Sequence, residues 1–267
     1  MAKSVIYLPG LNGIRAIAAL SVVISHITLS LGEFGLSPSL FGVDVFGKPL
    51  GLRLGEYGVS IFFCLSGFLI TYLLLAEKEI KGVQVNKFYL RRIFRIWPLY
   101  YLYLFVAVSI ILKLKLEFNT GSFLCYFFYA ANIPFILHTT LPFLNHYWSL
   151  GVEEQFYLFW PWIIKKLKKG MVIILGVAVA VVIIIKLLVH HYFLNSVLDL
   201  FFVVNRFHCM VIGAIGAILY KQHDGFFLKY TDNKAAQTVA WIIIVLSAAN
   251  VFTVASIINN EIISTVT

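Results

Sequence analysis

Six apolar runs, each near the length of a membrane-spanning helix, limit what this chain can fold into: Ile14 to Leu31, Tyr57 to Ala76, Ile96 to Leu112, Met171 to Val189, Leu200 to Tyr220 and Ala235 to Ile258. A spanning helix needs about 20 mostly apolar residues. Two weaker candidates, Phe123 to Leu137 and Val152 to Ile164, lie between the third and fourth runs. Of the 267 residues, 61% are hydrophobic and 12% charged, against roughly 45–50% and 25% in soluble domains. A water-soluble fold could not cover so much apolar surface. The 24 Phe, 14 Tyr and 5 Trp exclude a disordered or fibrous chain. The first run is not read as a signal peptide: it carries Arg15 and His26, no cleavage pattern follows it, and further spans do.

The formal net charge is +9, carried between the apolar runs. Such charges orient a chain at an anionic membrane face, and nucleic acid is not expected as a partner. The connection Glu77 to Arg95 holds six basic residues; Lys165, Lys166, Lys168 and Lys169 form a second block, and Lys221, Lys229 and Lys234 mark a third. All three should be cytoplasmic, with Lys3 and the N-terminus. The connection Gly32 to Glu56, with Glu33, Asp44 and Glu56, fits the outside. The basic blocks share one side only if Phe123 to Leu137, interrupted by Asn132 and Pro134, does not cross. The expected fold is therefore an all-α polytopic helix bundle. It has about seven spans plus one re-entrant or interfacial segment, with the N-terminus cytoplasmic. Cys64, Cys125 and Cys209 sit inside apolar runs and form neither a disulfide framework nor a metal motif.

Ionisable groups at membrane depth are costly and are functional candidates by default. Arg15 and His26 are 11 residues apart, which on a helix returns to nearly one face about 16 Å along the axis. A guanidinium suits phosphate, and a neutral imidazole deeper in the membrane can accept a proton. A snorkelling Arg with a packing His is the competing reading. In Arg91-Arg92-Ile93-Phe94-Arg95-Ile96-Trp97-Pro98, Arg92 and Arg95 share a helix face, and Arg91 could replace one of them. A positive-inside anchor with an aromatic belt explains the same residues. Glu153 and Glu154 open an apolar helix after Ser149, a candidate N-cap. They either complement the helix dipole or serve a site, and one of them should reach it. The small residues of Tyr57-Gly58-Val59-Ser60 and Leu65-Ser66-Gly67-Phe68, and Gly213 with Ala217, read as packing positions. Asn205-Arg206-Phe207-His208 should open another helix. Arg206 either pairs with Glu153 or Glu154 or snorkels, as Lys186 should, and His190 and His191 should be solvated.

Taken together, four motifs in order resemble membrane acyltransferase family 3, the bacterial O-acyltransferases of surface sugars. They are Leu11-Asn12-Gly13-Ile14-Arg15-Ala16 with His26, Phe62-Phe63-Cys64-Leu65-Ser66-Gly67-Phe68-Leu69-Ile70, Arg91 to Pro98, and Trp148-Ser149-Leu150-Gly151-Val152-Glu153-Glu154-Gln155-Phe156-Tyr157. The resemblance implies one membrane acyltransferase domain over 1–267 in a bacterial cytoplasmic membrane. It implies acyl-CoA, acetyl-CoA foremost, as donor and a hydroxyl of a lipid-linked or surface glycan as acceptor. By the same resemblance His26 is the essential histidine and Arg15 its partner, Arg92 and Arg95 hold the CoA phosphates, and Glu153 and Glu154 are the acidic pair. A family motif of the type Ser-Tyr-x-x-Tyr-Leu-x-His does not occur before Thr267, so a short or C-terminally truncated member is expected. The expected chemistry is general-base transfer through His26 with no metal. A transporter or flippase of an acyl donor or lipid-linked glycan is the rival reading, and a haem protein using His26 and His208 a third.

Overall fold

A computed structural model of the chain describes residues 10–43, 49–166, 168 and 170–248. Lys3, Asp44, Lys48, Lys169 and the end of the Ala235 to Ile258 run lie outside the described residues. The described chain is helical: α1 (Leu11–Leu31), α2 (Leu50–Lys81), α3 (Val85–Lys113), α4 (Thr120–Phe127), α5 (Asn132–Ile136), α6 (Tyr147–Lys165), α7 (Met171–Tyr192), α8 (Val197–Val204), α9 (Phe207–Lys221), α10 (Gly225–Thr231) and α11 (Lys234–Ala248). In hydrocarbon a helix satisfies its own backbone polar groups, which is why long apolar runs take this form.

Among the described residues, five stretches are long and apolar enough to cross a membrane: Leu11–Phe34, Leu50–Lys81, Val85–Lys113, Met171–Tyr192 and Val197–Lys221. The two further expected spans are α6 and the described part of α11. Helix α6 is about 28 Å long at 1.5 Å per residue, enough for the hydrocarbon core, but its glutamates lower its hydropathy. Ile173, Ile174, Val177, Val181, Ile184 and Leu188 of α7 are exposed, as are Phe94, Leu99, Leu102 and Phe105 of α3. An apolar belt of this kind suits lipid rather than water.

The segment Phe123 to Leu137 does not span. It forms α4 and α5, eight and five residues long, separated by a turn in which Tyr129 has φ 58°. With that segment on one side, the basic connections meet at one end of the bundle. Lys78 Nζ donates to the Ile164 carbonyl at 2.9 Å, Lys221 pairs with Glu79 at 2.6 Å and Arg91 with Glu77 at 2.8 Å. These contacts bring the ends of α2, α6 and α9 and the start of α3 together.

Helix α2 is the spine, packed on α1, α9 and α6. Glycines set the close approaches. A Cβ on Gly67 would collide with the Met210 carbonyl of α9, one on Gly213 with the Cys64 carbonyl of α2, and one on Gly58 with the Ala18 carbonyl of α1. The packing role read for Gly58, Gly67, Gly213 and Ala217 agrees with this, and Ala217 is fully buried. Around α2, one core gathers Phe63, Leu74, Phe88, Phe156, Trp160 and Met210. A second, aromatic core joins α3, α4 and the start of α6 through Tyr100, Tyr126, Tyr129 and Tyr147.

Several polar residues depart from expectation. The run Leu200 to Tyr220 is broken between α8 and α9 at Asn205-Arg206, although α9 does open at Phe207 as the motif suggested. Arg206 is buried and clasps α2, donating to the Glu56 carbonyl at 2.9 Å and to Ser60 Oγ at 2.6 Å, so it is not a snorkelling residue. Lys186 is 2% exposed and does not snorkel. It faces inward, within electrostatic reach of Arg206, Cys209 and Asp199. His190 is not simply solvated: its Nδ1 lies 2.9 Å from Asp199 Oδ1. Glu56 belongs to α2 rather than to an outer connection.

Candidate functional site

Helix α6 is the element that organises the site. It begins at Tyr147, so Ser149 is not its N-cap, and its first turn holds no acidic residue. Glu153 and Glu154 lie nearly two turns in, beyond the reach of the terminal dipole, which acts over about one turn. The dipole explanation for the acidic pair is thereby removed. Adjacent residues on a helix point about 100° apart, and the two carboxylates enter different cavities.

The first cavity, of about 520 Å³, is lined by His26 and Val22 of α1, Val59, Phe62 and Phe63 of α2, and His146, Ser149, Leu150 and Glu153. Positions 146, 149, 150 and 153 are one stripe at helical spacing. Val22 and His26 are likewise one turn apart on α1. Arg15 lies two turns before Val22 on the same side, and its charge reaches the Glu153 carboxylate, as that of Arg92 does more strongly. The structure therefore keeps Arg15 and His26 on one stripe facing Glu153. The expected burial of the imidazole is corrected: His26 is exposed within an open cavity, because α1 packs chiefly on α2 alone. His146 shares this cavity. Partial desolvation at the rim, with the charge of His26 added, holds its imidazole below the ordinary histidine range.

The second cavity, of about 410 Å³, is lined by Phe88, Tyr89, Arg92, Ile93 and Trp97 of α3, by Phe128 and Tyr129, and by Glu154, Gln155, Tyr157 and Leu158 of α6. Tyr157 lines the second cavity and reaches toward Glu153 of the first. The Arg92 guanidinium lies 4.1 Å from the centre of its ring, while its hydroxyl donates to Glu153 Oε2 at 3.4 Å and hydrogen-bonds Ser66. Arg92 is thus half-buried at the inner cavity. Arg91 turns away to Glu77, and Arg95 is exposed and lines neither cavity. The structure does not bring Arg95 to the site beside Arg92.

Behind Glu154 lies an amide network. Gln155 Nε2 donates to Asn132 Oδ1 at 2.7 Å and to the Tyr129 carbonyl at 3.1 Å, and Asn132 Nδ2 donates to Asn205 Oδ1 at 2.8 Å. It ties α5, α6 and the α8–α9 break, so the walls of the second cavity are fixed. Sequence reasoning missed His146, Ser66, Tyr157 and this network as site components. The i, i+3, i+4, i+7 spacing from His146 to Glu153 was the available signal. Among the described residues no group of three His, Cys, Asp or Glu side chains is placed to hold a metal ion.

The sequence is similar to those of known proteins. The chain is 34% identical over 167 residues to the peptidoglycan O-acetyltransferase OatA of Listeria monocytogenes, a match covering 58% of this chain and 24% of that protein. YrhL of Bacillus subtilis, provisionally named for the same activity, is also 34% identical over 167 residues, with 58% and 23% covered. A provisionally named O-acetyltransferase of Staphylococcus aureus is 33% identical over 176 residues, with 62% and 26% covered. The chain spans about a quarter of the length of these relatives. No solved structure matches it. The sequence profile described as an acyltransferase domain extends over residues 8–266, taking in both cavities and every helix that lines them, and on that match the chain belongs to acyltransferase family 3.

Proposed function

We propose that this chain is a membrane O-acyltransferase that moves an acyl group, acetyl foremost, from cytoplasmic acyl-CoA to a hydroxyl of a lipid-linked or cell-surface glycan. The names of the relatives supply the acetyl group and make peptidoglycan a candidate acceptor. The observation that carries the reading is the pair of cavities connected through Tyr157, which lines one and hydrogen-bonds Glu153 of the other. One holds two histidines and a carboxylate, and the other, nearer the basic end, holds Arg92 and Glu154. Two substrates arriving from opposite faces need two approaches that meet at a thin wall.

In this reading Arg92 holds phosphates of the donor at the inner cavity, with Arg15 adding positive potential near Glu153. The thioester passes the Tyr157 wall toward His26. The acceptor hydroxyl gives its proton to the His26 imidazole as its oxygen attacks the thioester carbonyl. The tetrahedral intermediate then expels the CoA thiolate, which takes the proton back from the imidazolium. Glu153, in the same cavity, orients the acceptor or stabilises the charged ring. The protein is placed in a bacterial cytoplasmic membrane with its basic end inside. The test is acyl transfer from radiolabelled acetyl-CoA to a lipid-linked glycan by purified protein. His26→Ala should lower the rate on the order of 10²–10⁴-fold with expression intact, and full activity in that variant overturns the base assignment.

The break between α8 and α9 also suits a transporter or flippase, whose sites are built from discontinuous helices. Movement of glycan or donor across the bilayer without any ester product would favour that second reading.

A further inference from the structure

Two residues that line the second cavity each carry a buried polar atom without a partner among the described residues. Glu154 Oε1 and the Tyr129 hydroxyl are both buried with no hydrogen-bond partner among the described residues. Leaving such a group unpaired costs about 1–3 kcal/mol, so buried polar atoms are nearly always satisfied. Both residues line the same cavity, and the two groups lie within electrostatic reach of each other.

Tyr129 is also held against its backbone preference. It has φ 58°, which is unusual for a bulky aromatic residue. Its ring is clamped between Tyr100, with centroids 4.1 Å apart, and Trp97, at 5.7 Å, and its carbonyl accepts from Gln155 Nε2. A Cβ at Gly151 would press on that same carbonyl, so the bare glycine lets α6 approach the turn. Strain fixed on several sides and aimed at a cavity is the pattern found where geometry serves a ligand.

The remaining lining narrows the ligand. Gln155 is occupied by Asn132 and Tyr129. Beyond Arg92, the cavity then offers chiefly the Glu154 carboxylate and the Tyr129 hydroxyl in a largely aromatic and aliphatic wall. A sugar presents hydroxyls all round its ring and would leave most of them unpaired here. A secondary amide on an aliphatic chain presents one N–H and one C=O. We propose that Glu154 and Tyr129 form a subsite for the amide-bearing pantetheine arm of the acyl-CoA donor: Glu154 Oε1 accepts from an amide N–H and the Tyr129 hydroxyl donates to an amide carbonyl. This inference rests on the donor reading above. It assigns Glu154 to donor binding and leaves Glu153 with His26.

The experiment measures binding of CoA, and of adenosine 3′,5′-bisphosphate, which keeps two of its three phosphates and lacks the arm, to the purified full chain in micelles. Tyr129→Phe keeps the ring stack and removes the hydroxyl, and Glu154→Leu removes the acceptor; a melting temperature no lower than wild type shows that each variant is folded, since each change also removes an unpaired buried atom. Each should weaken CoA about tenfold without weakening the bisphosphate. CoA binding unaltered in both variants, equal weakening of the bisphosphate, or a raised acceptor KM with donor binding intact each overturns the amide subsite while leaving the donor reading standing. Wild-type protein that binds no CoA overturns the donor reading, and the subsite with it.

Discussion

Arg92 is the residue on which the donor reading turns, because its guanidinium reaches the second cavity while Arg91 and Arg95 do not. Replacing it by alanine should raise the KM for acetyl-CoA on the order of 10–100-fold, the loss of one charge-assisted hydrogen bond to phosphate. The same change at Arg95, exposed and apart from both cavities, should move the donor KM much less, and initial-rate kinetics with varied donor will separate the two. An equal effect at Arg95 would mean that the phosphates lie at the mouth of the bundle rather than in the cavity. The sequence motif could not make this distinction. Three arginines within five residues look equivalent when only helical spacing is known, and Glu77 and Tyr157, which separate them, come from other helices. Histidine fared better. That Arg15 and His26 share a face was legible because both lie on one helix, whereas His146 drew no reading, since only the start of α6 at Tyr147 puts it in phase with Glu153.

At the level of helices, the crossing of α2 and α9 holds the site together, since α2 carries Ser66 and Phe63 to the cavities and α9 supplies the core behind them. Gly67 and Gly213 face each other's helix so closely that a side chain must drive the backbones apart. Gly67→Leu or Gly213→Leu should destabilise the protein by about 3 kcal/mol, the upper end for an overpacked core. A melting temperature in detergent within a degree of wild type would show that the helices do not pack as described. Helix existence was plain in the sequence, since six apolar runs leave little choice. The break at Asn205-Arg206 was half visible: the polar cluster announced the start of α9, but the apolar residues on both sides concealed that α8 is a separate short helix. Arg206 was legible as unusual, yet its partners, a carbonyl and a hydroxyl on α2, have no signature in a one-dimensional pattern. Lys186 was misjudged for the same reason. A lysine two turns from a helix end usually reaches for water, and only the packing of α7 on α9 turns it inward.

Across the whole molecule, the contacts Lys78 to Ile164, Lys221 to Glu79 and Arg91 to Glu77 gather the basic connections at one end. That arrangement, with α4 and α5 kept from crossing, is what charge parity required. Arg92 stands nearer this end, and His26 and His146 stand toward the other. Donor and acceptor should therefore be used from opposite faces of the membrane, with Tyr157 between them. The most direct measurement is label transfer in sealed vesicles of known orientation that carry the acceptor glycan, with radiolabelled acetyl-CoA supplied on one side only. Labelled ester should form when the donor meets the basic end and should be absent when it is confined to the other side. Transfer from donor supplied only at the face of His146 would contradict the passage from Arg92 to His26.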